Sequence, residues 1–144
     1  MSAASVLLVD DERDFVSAMT KRLTKRDLEV SNAFDGLEAL EALSKDDRIE
    51  VVILDVKMPG MSGVETLREI KRRYPLIEVI MLTGYATIET AIEGMKLGAY
   101  DYLIKPCEMD ELLGKVGEAL EKRRKHQNKI LEARTREVIQ RRET

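Results

Sequence analysis

Five short apolar runs alternate with five stretches of helical spacing, and that alternation leaves few folds open to the chain. Val6-Leu7-Leu8-Val9 comes first and ends at Asp10. Phe15, Ala18, Met19 and Leu23 then recur at helical spacing between about residues 14 and 26. A half-polar second strand starts at Leu28-Glu29-Val30, and Asp35-Gly36 breaks it. Leu37, Ala39, Leu40 and Leu43 mark a second helix. Val51-Val52-Ile53-Leu54 reads as the clearest central strand and ends at Asp55. A loop with Pro59, Gly60 and Gly63 follows, and Val64, Leu67 and Ile70 mark a third helix stopped near Pro75. Ile77 to Leu82 is a fourth strand, and Ala86 to Leu97 a fourth helix ended by Gly98. Tyr100 to Ile104 is a fifth strand closed by Lys105-Pro106, and a last helix begins near Glu108 to Asp110. The pattern predicts a doubly wound α/β fold, a five-stranded parallel sheet covered on both faces. The first, third and fourth strands are expected in its centre and the more polar second strand at an edge. In such sheets the working site lies beyond the C-terminal strand ends.

The 144 residues suit one domain with its own core. A single cysteine, Cys107, excludes an internal disulfide, and a single histidine, His126, excludes a His-rich zinc site. Both suggest a reducing, cytoplasmic setting. Aromatics at 4% with no Trp argue against a stacking surface for sugars or single strands. No apolar run is long enough to span a membrane, and the N-terminus lacks the basic start of a signal peptide. Charge is uneven. Residues 1–120 hold 15 Lys+Arg against 23 Asp+Glu, while residues 121–144 hold 9 against 4. The expected division is a folded domain over 1–121 and a basic helical tail or linker over 122–144. No Pro interrupts residues 110–142, so one helix of about 50 Å is open to this stretch. A solvated tail and a dimer-forming coiled coil both fit. Glu121, Glu132, Glu137 and Glu143 break up the positive charge, so nucleic-acid binding is not expected.

Polar residues at the strand ends carry the functional signal. Asp10 and Asp11 follow the first strand, Asp55 the third, Thr83 the fourth and Lys105 the fifth. Singly, each has an ordinary explanation as a cap, a turn residue or a solvated charge. Together they would meet on one rim of the sheet. Three carboxylates in one pocket repel, so something must relieve them. A hard divalent cation, most simply Mg²⁺, would take oxygens from Asp10 or Asp11, from Asp55 and from the Lys57 backbone carbonyl. Lys105 would bring a positive charge from the other side. Such a pocket suits phosphoryl transfer onto a carboxylate, with Asp55 as nucleophile and Thr83 donating to a phosphoryl oxygen. No His or Cys stands in the group, which argues against an acyl-transfer triad.

Leu-Val-Asp10-Asp11-Glu12, Leu54-Asp55-Val-Lys-Met58-Pro59-Gly60-Met-Ser-Gly63, Leu82-Thr83-Gly84 and Tyr102-Leu-Ile-Lys105-Pro106 stand in order at these strand ends. In these four motifs the chain resembles the receiver domain of two-component response regulators, from about residue 5 to 120. The resemblance implies a flavodoxin-like sheet of order 2-1-3-4-5, with the first and fifth helices on one face. It implies Asp55 as phospho-acceptor, Asp10 and Asp11 as the acidic pair for Mg²⁺, and Lys105 as the active-site lysine. It implies Thr83 and Tyr102 as the switch pair and a cis bond before Pro106. It also implies a sensor histidine kinase or phosphotransfer protein as donor. A partner or downstream output domain would read the surface of the fourth helix, fifth strand and fifth helix. That partner can be a second copy, joined through this surface or through the last helix.

By the same resemblance, Lys57 and Tyr85 flank the path of the water that hydrolyses the phosphoryl group, so both are expected to lengthen its lifetime. A phosphatase of dehalogenase type is the competing enzyme, but Lys57 stands where its second catalytic Asp would be, and no cap domain is present. An adaptor that has lost phosphorylation is at odds with the intact acidic and basic set. A stand-alone regulator and a receiver cut from a larger transcription regulator both remain open. On either, the chain regulates, and assists its own phosphorylation and dephosphorylation without being mainly an enzyme.

Overall fold

The structure is a computed structural model that describes residues 4–84 and 87–143. Strands β1 (Ser5–Val9), β2 (Glu29–Ala33), β3 (Ile49–Leu54), β4 (Glu78–Thr83) and β5 (Asp101–Ile104) alternate with helices α1 (Arg13–Thr24), α2 (Gly36–Lys45), α3 (Gly63–Arg73), α4 (Ile88–Lys96) and α5 (Met109–Glu143). The sheet is parallel throughout, in the order β2-β1-β3-β4-β5. The expected doubly wound, flavodoxin-like arrangement is therefore present. The apolar strands β1, β3 and β4 are its centre, and β2 is one edge, as its polar sequence requires.

Strand side chains alternate between two cores. Leu7, Val9, Val52, Leu54, Val79 and Met81 pack with Ala39, Leu40 and Leu43 of α2 and Leu67 and Ile70 of α3. Val6, Leu8, Val51, Ile53, Ile80 and Leu82 pack on the other face with Val16, Met19 and Leu23 of α1 and Leu112, Val116 and Ala119 of α5. Each such Leu or Ile removed from water stabilises the fold by about 1.5–3 kcal/mol. The two cores together fix every strand end in place.

The helix starts follow ordinary capping chemistry. Asp35 accepts from the Glu38 N–H at α2, and Ser62 accepts from the Glu65 N–H at α3. Gly98, in the left-handed region at φ 100°, follows α4 as the sequence suggests. The turn after α1 carried no such signal. Asp27 takes φ 64° there, a conformation that Asp tolerates better than most residues, and β2 opens at Glu29 rather than at Leu28. α4 opens later than its apolar spacing suggests, at Ile88 behind a Thr87 cap; Ala86 and Tyr85 lie outside the described residues.

α5 is one continuous helix of 35 residues, about 52 Å long. Its first turns pack on the sheet, whereas residues 124–142 are exposed throughout. Three ion-pairing residues, Lys122, Arg123 and Arg124, carry contact with the body past residue 121. Arg124 binds both carboxylate oxygens of Glu50 at 3.1 Å, and Lys122 lies 3.2 Å from the buried Glu78. Among the described residues no helix is long and apolar enough to cross a membrane.

Candidate functional site

Main-chain pairing continues past the strands and brings the first two acids together. The Asp55 N–H donates to the Val9 carbonyl at 3.0 Å, and the Asp10 N–H to the Ala33 carbonyl at 3.1 Å. Asp10 and Asp55 are buried, and Asp11 next to them is exposed. One carboxylate oxygen from each of Asp10, Asp11 and Asp55 lies within 4.8 Å of the others. With Glu12, Lys57, Met58, Pro59, Thr83 and Gly84, Asp11 and Asp55 line an open cleft of about 530 Å³.

Lys105 enters from the end of β5. Its N–H donates to the Thr83 carbonyl at 2.9 Å, and its Nζ donates to Asp10 Oδ2 at 2.5 Å. Nζ also lies 3.4 Å from Glu12 Oε1 and 4.0 Å from the centre of the Phe15 ring. The bond before Pro106 is cis. Glu12 is the N-cap of α1 but makes no side-chain cap bond, since its carboxylate faces Lys105; its N–H donates to Asp10 Oδ1 at 2.9 Å. Glu12 and Phe15 are the site residues whose part the strand-end reading missed. Phe15 was legible only as an apolar position of the first helix, and its ring face becomes a cation surface only once the fold brings Lys105 over it.

Burial raises Asp10 above the ordinary carboxylate range, with the charge of Asp55 adding to it, and the bonds from Lys105 and the Glu12 N–H oppose the rise without cancelling it. Burial pulls Lys105 downward, but its bond to Asp10 and the charges of Asp10, Asp55 and Glu12 outweigh that and hold it above the usual lysine range. Asp10, Asp11, Glu12 and Asp55 outnumber the cations around them, so the pocket carries more carboxylates than positive groups. An all-oxygen donor set with this excess fits a hard divalent cation such as Mg²⁺, and thiol or imidazole metals have nothing to bind here.

Asp55 Oδ1 accepts from the Val56 N–H at 2.8 Å, which turns the carboxylate toward the cleft. The loop after it is pinned by the Gly63 N–H, which donates to the Val56 carbonyl at 2.8 Å. A Cβ on Gly63 would collide with the Asp55 carbonyl oxygen and with Val56 Cα, so only glycine lets α3 start this close beneath the acceptor. Thr83 is fully buried at the end of β4. The Lys57 side chain is exposed at the cleft rim, and Tyr85 lies outside the described residues. Tyr102 is half-buried, one strand over from Thr83, with its hydroxyl 3.1 Å from Thr90 Oγ1 of α4.

The family model for the response regulator receiver domain matches residues 6–117. The chain belongs to that family. Its Asp10, Asp11 and Asp55 cluster is the Mg²⁺-binding acid pocket of such domains, and phospho-signalling is what the family does. Among curated proteins it is 37% identical over 127 residues to the transcriptional regulatory protein ZraR of Klebsiella oxytoca, covering 88% of this chain and 28% of that protein. It is 41% identical over 125 residues to the C4-dicarboxylate transport transcriptional regulatory protein DctD of Rhizobium meliloti, covering 86% of this chain and 27% of that one. The chain thus spans little more than a quarter of the length of these relatives. Among solved structures, a receiver domain protein from Clostridium thermocellum superposes with TM-score 0.80 at 36% identity, covering 84% of this chain and 97% of that one. The receiver domain of NtrX from Brucella abortus superposes with TM-score 0.75 at 36% identity, covering 81% and 98%.

Proposed function

We propose that this chain is a phosphorylation-dependent switch whose acceptor is Asp55. The observation that carries the reading is the meeting of Asp10, Asp11 and Asp55 around one point, with Lys105 held on Asp10 at the same rim. An Asp55 oxygen attacks the phosphorus of a donor, the bond from phosphorus to the donor breaks, and an acyl phosphate remains on the side chain. Asp10, Asp11, Asp55 and the Lys57 carbonyl would hold Mg²⁺, which supplies charge neutralisation on the transferred oxygens. Lys105 does the same from the opposite side, and the Thr83 hydroxyl donates to a phosphoryl oxygen. The added charge draws Thr83 inward, and Tyr102 follows into the space it leaves.

Family membership makes histidine kinases and output domains the general class of partner. The finer reading is a sensor histidine kinase or phosphotransfer protein as donor, and an α4-β5-α5 surface read by an output domain or a second copy. Exposed Ile88, Ile92, Met95 and Ile104 on that surface support the docking role. We divide the chain into a receiver over 1–121 and a basic helical arm or linker over 122–144, along which a second copy can pair. Lys57 and Tyr85 are assigned to slowing hydrolysis; faster phosphate loss in Lys57→Ala Tyr85→Ala is the expected result, and unchanged or slower loss would remove the assignment.

The deciding experiment is intact mass after acetyl phosphate and Mg²⁺, in wild type and in Asp55→Ala. Wild type gains one phosphoryl group and the variant none. A gain that survives Asp55→Ala would move the acceptor elsewhere. Sizing of the protein with and without beryllofluoride tests the second-copy reading.

A further inference from the structure

α4 does not begin on a simple cap. Thr87 Oγ1 accepts from the Thr90 N–H at 3.1 Å, and Thr90 Oγ1 accepts from the Thr87 N–H at 3.2 Å, a closed capping box built from two threonines. The same Thr90 oxygen lies 3.1 Å from the Thr87 carbonyl, 2.9 Å from Thr87 Oγ1 and 3.1 Å from the Tyr102 hydroxyl. Thr90 has one hydroxyl proton and two lone pairs to divide among these neighbours. The box and the tyrosine therefore draw on one oxygen, and a change in either alters what the other can bond.

The strand register explains why this reaches the site. Tyr102 pairs with Met81 and Ile104 with Thr83 on adjacent strands. Met81 and Thr83 are alternate residues of β4, so Tyr102, Met81 and Thr83 face the same side of the sheet. α4 crosses that side: a Cβ built on Gly94 would lie 3.9 Å from the Tyr102 ring and from Met81 and Leu67. The ring is thus held between the core beside Thr83 and the first two turns of α4.

We propose that Thr90 is a positioning residue for the switch: its hydroxyl, shared between the α4 cap and the Tyr102 phenol, makes seating of the Tyr102 ring and closure of the first turn of α4 one coupled event. The proposal deepens the switch reading of Thr83 and Tyr102 and rests on it for its link to phosphorylation. It gives the α4 end of the output surface a direct connection to the ring, without passage through the residues between Thr83 and Thr87.

The test is amide hydrogen exchange across α4 in wild type, Tyr102→Phe, Thr90→Val, the double variant, and Thr90→Ser with and without Tyr102→Phe. In the wild-type background, Tyr102→Phe is expected to speed exchange in the first turn of α4 roughly two- to twelvefold, the worth of one ordinary hydrogen bond. In the Thr90→Val background the same change is expected to do nothing. Thr90→Ser, which keeps the hydroxyl, should restore the response to Tyr102→Phe. Equal effects of Tyr102→Phe in all three backgrounds would overturn the proposal, as would a failure of Thr90→Ser to restore it. A variant that unfolds is recognised by exchange rising everywhere rather than in α4 alone. Phosphoryl uptake by wild type is read separately by intact mass; its absence would sink the phospho-acceptor reading and leave the hydroxyl coupling to stand or fall on exchange.

Discussion

Both rims of the sheet bury carboxylates, and the two rims treat them in opposite ways. At the N-terminal rim Glu50 and Glu78 meet four cations. Lys71 lies 3.4 Å from Glu78 and is also bonded to the Pro75 and Ile77 carbonyls; Lys122 lies 3.2 Å from Glu78; Arg123 and Arg124 lie 3.8 and 3.1 Å from Glu50. At the C-terminal rim the four carboxylates of Asp10, Asp11, Glu12 and Asp55 stand with Lys105, whose nearest partners are Asp10 and Glu12, and with Lys57 at the cleft edge. Folding balances the charge of the first set by itself, although Glu78 Oε2 and Arg123 Nε make no hydrogen bond there among the described residues. The second set is left with negative charge to spare, and a site that must take up a cation and a phosphoryl group needs that surplus. Buried charge alone therefore does not mark a functional site; the balance of the charge around it does.

Removing Lys105, the cation bonded to Asp10, from the poor rim should have the largest effect. Lys105→Met is expected to slow phosphoryl uptake from acetyl phosphate about 100-fold, comparable with loss of one preorganised donor to a developing oxyanion. Initial rates by intact mass would show it, and a change of under threefold would place the needed charge elsewhere.

Next comes the opposite rim. Glu78→Ala leaves Lys71 and Lys122 facing a buried gap, although Lys71 keeps its two carbonyls. A loss of about 1–3 kcal/mol is expected, seen as a lower urea midpoint at an unchanged slope. The charge comparison predicts the reverse sign for Asp55→Asn. That change keeps an acceptor for the Val56 N–H and removes repulsion against Asp10, so the metal-free protein should gain about 1 kcal/mol. Loss of stability in Asp55→Asn without Mg²⁺ would contradict the picture of a charge-strained pocket.

Added Mg²⁺ sharpens the same contrast. At about 100 times its dissociation constant it should stabilise wild type by about 2.7 kcal/mol, and it should do nearly nothing for Asp11→Asn Asp55→Asn. The smallest effect is expected from Glu50→Gln. The two Arg124 contacts weaken, the cost is about 0.5–1 kcal/mol, and amide exchange rises from residue 122 onward while β3 is unchanged.

The acidic rim was readable in the sequence because its residues directly follow apolar strands, and a parallel sheet sends all such ends to one side. The basic clamp was not. Glu50 and Arg124 are 74 residues apart, and each taken alone is an ordinary surface charge. The Thr90–Tyr102 contact was hidden for a similar reason: Tyr102 was visible as a switch position, but its partner depends on where α4 starts. There local capping by Thr87 overrode the apolar spacing that pointed to Ala86. The left-handed turn at Asp27 was missed because neither Gly nor Asn marks it.

The clamp at Glu50 also turns α5 into a lever. Arg124 holds the helix to Glu50 of the body, and the helix continues to Glu143. That overhang is about 28 Å. A tilt of roughly 10° at the clamp would sweep its tip through about 5 Å, the width of one helical turn. Displacements of tenths of an ångström in the sheet floor, too small to reshape a docking face, would arrive at the far end magnified severalfold.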